Sequence, residues 1–399
     1  MKKNVLYIST IFPYPAYRGG KIRISNLIAR LSRDHDVHLL SLCAEHRERI
    51  EDSLREARKH CTTVQAISHS RNRWKGALRS VLTQQPYEIG LFRNEAMKEA
   101  VAEAVTEIDP DIIWCSRTAS LQYLPNHTRA TVLLDQHDLS SQMWRLMKEG
   151  SSKWWIRLYA AYNHYLMRKY ERTAYHGVDI AVSVSEKERA LTETFAPPET
   201  ALLVAPNGVD VSYFSPSGTT EEDPEAVVSV GSMDQERNID AAIFFVEDVM
   251  PLIRKAGVDM KYYIVGQNPT ERVQRLADHD DVVVTGTVDD VRPYLERAAA
   301  VVAPYRMGSG VKHKIPISFA MQKAVVATPN ACQGIEVTHG QNVLMGETPR
   351  ELAAHTKTLL QSKEKRDAIG HAAQEFIREH YSWDAIANRL IAQVEEEMG

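Results

Sequence analysis

Short, β-rich apolar runs alternate with amphipathic stretches along the whole chain, and they do so in two successive series. The first series of runs is Val5–Ser9, Val37–Cys43, Val64–Ile67, Ile112–Cys115, Val132–Asp135, Val178–Ser185 and Ala201–Ala205. Between them lie helical patterns such as Lys21–Ser32, Arg47–Lys59 and Glu95–Glu107. The second series is Ala226–Gly231, Lys261–Gly266, Val282–Gly286, Ala299–Pro304 and Ala324–Thr328, with Ile239–Lys255, Thr270–Ala277 and Val291–Ala298 as its helices. Strands apolar on both faces belong to parallel sheets covered by helices on either side. The spacing therefore predicts an α/β chain of two doubly wound domains, with ligand sites at the carboxyl ends of the strands.

The boundary falls in PNGVDVSYFSPSGTTEEDPE, rich in Pro, Gly, Ser, Thr and acids, which reads as a linker. This places an N-terminal domain at 1–205, a linker at 206–225 and a C-terminal domain at 226–382. The tail Arg350–Met398 is helical in pattern throughout. At 399 residues the chain can bury a core in each domain.

Charge separates the halves. Residues 1–205 hold 29 Lys+Arg against 23 Asp+Glu, a net of +6; residues 206–399 hold 19 against 29, a net of −10. A basic first half suits an anionic acceptor or the surface of a membrane, or is ordinary surface variation. Four scattered cysteines (Cys43, Cys61, Cys115, Cys332) form no CxxC pair, so reduced thiols and a cytoplasmic setting are expected. No run of 18 apolar residues occurs, and MKKNVLYISTIFPYP is broken by Pro13 and Pro15, so it reads as a first strand.

Five segments could carry chemistry. PYPAYRGGKIRISNLIARL follows the first strand; the adjacent Gly19 and Gly20 let backbone approach a ligand, or make a tight turn. VLLDQHD puts His137 just past a strand end, where it could hydrogen-bond a sugar hydroxyl or merely be solvated. His35, His38, His164 and His176 read as surface residues. WWIRLYAAYNHYLMRKYER is aromatic and basic; it reads first as a helix with its rings in the core, and second as an interfacial helix. VVSVGSMDQERN ends a strand and offers Arg237 to a phosphate.

The strongest segment is APYRMGSGVKHKIPISFAMQKAVVAT, in which Gly308-Ser309-Gly310 opens a helix carrying Lys312 and Lys314. Amides at a glycine-rich helix start, with bases beside them, hold a phosphate. The spacing fits neither a P-loop nor a dinucleotide fingerprint. No metal-ligand set stands out, and Asp289-Asp290 reads as a helix cap. No cofactor or metal is expected, and no nucleic-acid partner.

Taken in order, these segments resemble glycosyltransferase family four, the retaining transferases of GT-B fold, and in particular a bacterial polysaccharide-type subgroup. The resemblance runs over nearly the whole chain, from FPYPAYRGGKIRISNLIARL through VAPNGVDVSYF to FIREHYSWDAIANRL. It implies two Rossmann-like domains facing a central cleft, with the last helix, about 383–399, packing back on the first domain. It implies a metal-independent hexosyl transfer from a nucleotide-diphosphate sugar to a saccharide or lipid-linked acceptor, with possible peripheral contact at the inner face of the cell membrane.

Roles carried over position by position are these. His137 contacts the transferred sugar. Gly19, Gly20, Ser232, Arg237, Arg306, Gly308, Ser309, Gly310, Val311 and Lys312 serve the donor phosphates. Thr287 and Val288 read the base. Ile317 stands where the family usually has the glutamate that binds the ribose, and an isoleucine accepts no hydrogen bond. Pro316 also predicts that the helix starts late or bends. The alternative reading is a degenerate, non-catalytic partner subunit; a sugar-nucleotide epimerase of the same fold is a third.

Overall fold

The computed structural model describes residues 2–17, 19–44, 50–70, 72–307 and 314–399. The chain divides into two compact units, Met1–Asn207 together with Ile386–Gly399, and Gly208–Ala385.

The first unit holds a seven-stranded parallel sheet in the order β3-β2-β1-β4-β5-β6-β7. Its strands are β1 (Asn4–Ser9), β2 (Asp36–Cys43), β3 (Thr63–Ser68), β4 (Ile112–Ser116), β5 (Thr131–Gln136), β6 (Ile180–Ser183) and β7 (Ala201–Val204). The inner strands β1, β4 and β5 are buried almost end to end, which is why they read as unbroken apolar runs. Burial also overtakes two histidines expected at the surface. His35 and His38 are 4% and 9% exposed, because the chain enters β2 beneath covering helices, and His38 Nδ1 lies 3.0 Å from Thr63 Oγ1. Ile386, Ala387, Leu390 and Val394 of the final helix, Trp383–Glu397, join the core built on Val5, Tyr7 and Leu27.

The second unit holds a six-stranded parallel sheet in the order β10-β9-β8-β11-β12-β13. Its strands are β8 (Asp223–Val230), β9 (Lys261–Val265), β10 (Val282–Gly286), β11 (Ala298–Ala303), β12 (Val325–Ala327) and β13 (Leu344–Met345). The helix expected over Ile239–Lys255 is helical throughout, but it opens into a π-turn at Phe245–Val249, between the α-helical Glu236–Phe244 and Met250–Lys255. Pro251 explains the turn: its ring would strike the carbonyl four residues back, and a wider turn relieves the clash.

The Trp154–Arg172 expectation is corrected. The helix Trp154–Ala174 buries Ala160, Asn163, Leu166 and Met167, while Trp154, Trp155, Leu158 and Tyr165 are exposed. Small and aliphatic residues fill the core, Tyr159, Tyr162 and Tyr170 are partly buried beside them, and Trp154, Trp155 and Tyr165 are left outside, so the expectation of rings in the core fails for half of them.

Candidate functional site

Both sheets reverse direction of growth once, between β1 and β4 in the first unit and between β8 and β11 in the second. Such reversal points leave a crevice at the carboxyl strand ends, where ligands of open α/β sheets bind.

In the first unit the crevice carries His137, one residue beyond β5. His137 is buried, and its Nε2 lies 3.1 Å from Ser116 Oγ at the end of β4 and 3.4 Å from Asp135 Oδ2. Gly20, in the first turn of the helix Gly19–Asp34, closes on the same ring. A Cβ added there would lie 3.3 Å from His137 Nδ1 and from Ile11 Cδ1, so glycine lets the helix end approach the imidazole. Gly19 has open space around it.

Beneath His137 sits a buried ion pair. Arg23 Nε donates to Asp135 Oδ1 and Oδ2 at 2.9 and 3.0 Å, and Nη2 donates to Oδ1 at 2.6 Å. Arg23 Nη1 also donates to the Ala205 carbonyl at 2.9 Å. Burial pushes Asp135 toward its neutral form, but the Arg23 guanidinium and the His137 ring outweigh it and hold the carboxyl well below the usual carboxylate range. The pair therefore stays ionised and fixes the carboxylate that faces His137.

In the second unit Lys314 is the central cation. Lys314 Nζ donates to Asn238 Oδ1 at 2.6 Å and to the Tyr305 hydroxyl at 2.9 Å, and lies 5.2 Å from the centre of the Tyr305 ring. Asn238 is oriented in turn by donating from Nδ2 to the Ser232 carbonyl at 2.6 Å. Three chain segments thus converge on one ammonium: the first turn of the helix Glu236–Phe244, the residues after β11, and the helix Lys314–Ala320. Glycine shapes the floor. Gly266, at φ +159° beyond β9, would place a Cβ 1.5 Å from the Gly231 carbonyl oxygen, a clash no other residue escapes.

The remaining expected phosphate contacts are placed as follows. Ser232 Oγ donates to Asp234 at 2.7 Å, and Arg237 donates to Gln235 Oε1 at 2.8 Å from an exposed position. The Arg306 guanidinium is engaged by Asp240, with Nε to Oδ2 at 3.1 Å, and lies over the Phe244 ring at 4.4 Å. Gly308, Ser309, Gly310, Val311 and Lys312 lie outside the described residues.

Thr287 is exposed just past β10, and Val288 packs partly into the core of this unit. Asp290 accepts from the Arg292 amide at 2.9 Å and pairs with its guanidinium, while Val291 occupies the cap of the helix Arg292–Arg297. Ile317 lies partly buried against the apolar core, beside Pro316 at the third position of the described helix. Among the described residues, no three His, Cys, Asp or Glu side chains converge as a metal set.

Arg23, Asp135, Asn238 and Tyr305 were not singled out from the sequence. Signals for two of them were present. Asp135 is an ionisable group inside an apolar strand run, which demands a buried partner. Arg23 shares the helical stripe of Leu27 and Leu31, spaced four residues apart. Asn238 and Tyr305 meet Lys314 only through the fold.

The chain matches the Glycosyltransferase Family 4 model over residues 17–213 and the Glycosyl transferases group 1 model over residues 224–362. It is 18% identical over 389 residues to an uncharacterized 44.6 kDa protein in the cps region of Klebsiella pneumoniae, covering 95% of this chain and 96% of that protein. The structure is similar to Anabaena Alr3699/HepE in complex with UDP, with a TM-score of 0.62 at 13% identity over 99% of this chain and 100% of that one. It is also similar to WaaG, a glycosyltransferase involved in lipopolysaccharide biosynthesis, with a TM-score of 0.59 at 13% identity over 96% and 98% of the two chains. At such identities the structural likeness is one of fold, the two-sheet GT-B architecture. With the family models matching in tandem along both units, the chain belongs to glycosyltransferase family four.

Proposed function

We propose that the protein is a retaining glycosyltransferase that moves a sugar from a nucleotide-diphosphate donor to a saccharide or lipid-linked acceptor, in the synthesis of surface polysaccharide or glycoconjugate. One observation carries the reading: Asn238 and Tyr305 pose the Lys314 ammonium at the reversal point of the second sheet, beside the glycine-rich segment. A fixed cation at that position meets the negative charge that grows on a departing diphosphate. Arg237 and Lys312 add charge in place of a metal ion. The amides of Ser309, Gly310 and Val311 serve the phosphate oxygens, and Thr287 and Val288 bound the base.

His137, held by Ser116 and Asp135, positions the transferred sugar. As the bond from anomeric carbon to phosphate oxygen breaks, the acceptor oxygen bonds to the anomeric carbon on the same face. Its proton passes to the departing phosphate, and the configuration is kept. The UDP complex of Anabaena HepE and the cps-region setting of the Klebsiella relative support the donor and product classes.

The test is calorimetry of the purified chain with nucleoside diphosphates, followed by consumption of the matching nucleotide sugar. No consumption across UDP, GDP, ADP, TDP and CMP sugars refutes the reading. A second reading, a non-catalytic partner subunit, is favoured by Ile317, whose side chain packs against the core where a ribose acceptor is usual. Ile317→Glu separates the two. Under the transferase reading this change lowers activity by disturbing a remodelled pocket; a gain of tenfold or more in nucleotide affinity, from about 1.4 kcal/mol of new hydrogen bonding, marks a degenerate site.

A further inference from the structure

A neutral imidazole carries one proton, and the ring nitrogen that holds it decides whether a ligand meets a donor or an acceptor. The two nitrogens of His137 sit in opposite fields. Nε2 faces inward, 3.1 Å from Ser116 Oγ and 3.4 Å from Asp135 Oδ2. Nδ1 faces the first turn of the helix Gly19–Asp34, where the missing Cβ of Gly20 leaves the approach to the ring open.

On the Nε2 side the charge is negative and lasting. Asp135 is fully buried and clamped by Arg23, so it stays ionised across the neutral range. Arg23 donates twice to Oδ1 but once to Oδ2, which leaves Oδ2 a lone pair for Nε2. A bare Nε2 would set its own lone pair against that carboxylate with no hydrogen between them. Ser116 does not reverse the choice. Its hydroxyl accepts as well as donates, and its hydrogen can turn to the Tyr7 hydroxyl buried beside it.

On the Nδ1 side the charge is positive. The helix Gly19–Asp34 has 16 residues, and its amino end lies against the ring. The unpaired amides of such an end carry a partial positive charge. No acidic residue in the first turn offsets it, and Lys21 adds to it. The carboxylate attracts the proton and the helix end repels it, so both fields favour Nε2.

We propose that Asp135, fixed by Arg23, is a positioning residue that holds the proton of His137 on Nε2, so that Nδ1 meets substrate only as a hydrogen-bond acceptor. The group it takes is a hydroxyl or amide hydrogen. A carboxylate or ether oxygen at that point would set lone pair against lone pair. Where it meets His137, the transferred sugar is then neutral and hydrogen-donating, a clause that rests on the transferase reading; the tautomer itself does not.

The test is long-range ¹H–¹⁵N NMR of the full chain labelled at histidine, at about pH 8.5, above the ordinary histidine range. The chain has 15 histidines, and His137→Gln assigns the signal by its loss. The expected spectrum shows a proton on Nε2 and a bare, pyridine-like Nδ1, both in the parent chain and in Ser116→Ala. Asp135→Asn should move the proton to Nδ1, because Arg23 takes the one amide oxygen and turns the NH₂ group toward Nε2. The parent and Ser116→Ala spectra decide the matter even where Asp135→Asn is too unstable to label. A proton on Nδ1 of the parent, as the other neutral tautomer or as imidazolium, overturns the proposal. So does a tautomer that changes in Ser116→Ala. Consumption of a nucleotide sugar from the UDP, GDP, ADP, TDP and CMP panel by a chain with Nδ1 protonated overturns this inference and leaves the transferase reading standing. A bare Nδ1 with no sugar consumed refutes the transferase reading and leaves the tautomer standing.

Discussion

Asp135→Asn is a sharp test of the first-unit architecture. Asp135 and Arg23 are 0% and 1% exposed, so solvent does not screen their attraction. Asparagine keeps the shape but removes the charge, leaving the Arg23 guanidinium buried with one neutral oxygen to replace three charged contacts. Removing one partner of such a pair costs about 3–5 kcal/mol. In a unit of this size that lowers Tm by roughly 6–20 °C. Differential scanning calorimetry reads the shift. The double variant Arg23→Leu/Asp135→Leu should cost less than the sum of the two single changes, because it removes both charges at once; the Ala205 carbonyl, which loses its Arg23 donor, sets the residual cost. A loss below about 1 kcal/mol for Asp135→Asn, or strict additivity in the cycle, would refute the claim that this pair anchors the unit.

The remaining predictions concern charge and close packing. Burial raises the Glu171 carboxyl from 4.5 to about 7, and its Oε2 has no hydrogen-bond partner. The folded state therefore holds its proton more tightly than the unfolded state, so stability is full below about pH 4.5, falls as pH rises toward about 7, and then levels off, lower by about 3 kcal/mol. Glu171→Gln keeps an oxygen for the Ser141 amide and should flatten that slope in urea titrations across the window; an unchanged slope contradicts the assignment. Lys314→Ala should weaken nucleoside diphosphate binding by roughly 10- to 100-fold in calorimetry while leaving Tm within a few degrees, as expected for loss of one charged contact. Gly266→Ala forces a Cβ into the Gly231 carbonyl and should cost about 3 kcal/mol or more, read as a lowered Tm in calorimetry; an unchanged Tm would show that the β8 and β9 ends separate freely.

Several strands were legible because parallel strands are buried on both faces, and Ile112–Ser116 or Ala298–Ala303 announce themselves by composition alone. Leu344–Met345 was not, since two residues carry no period. Gly20 was legible as a candidate, whereas Gly266 read only as a strand end, and its close approach to Gly231 came with the fold. Orientation was not legible. The Trp154–Ala174 helix has aromatic, apolar and basic residues on nearly every side, so its pattern does not say which stripe faces the core. Only the packing of Asn163 against Ser80 and Tyr87 settles that.

The amino-acid sequence by itself determined that this protein has two doubly wound sheets, where most of their strands lie, and that a glycine-rich, basic segment follows one of them. Those features are local, written in periodicity and in backbone chemistry that acts over a few residues. Tertiary structure alone decided that Arg23 meets Asp135 across 112 positions and that Lys314 meets Asn238 across 76. It also decided that Trp154, Trp155, Leu158 and Tyr165 of the first unit stay outside. Ion pairs and exposed faces are properties of neighbours, and neighbours are chosen by topology and packing.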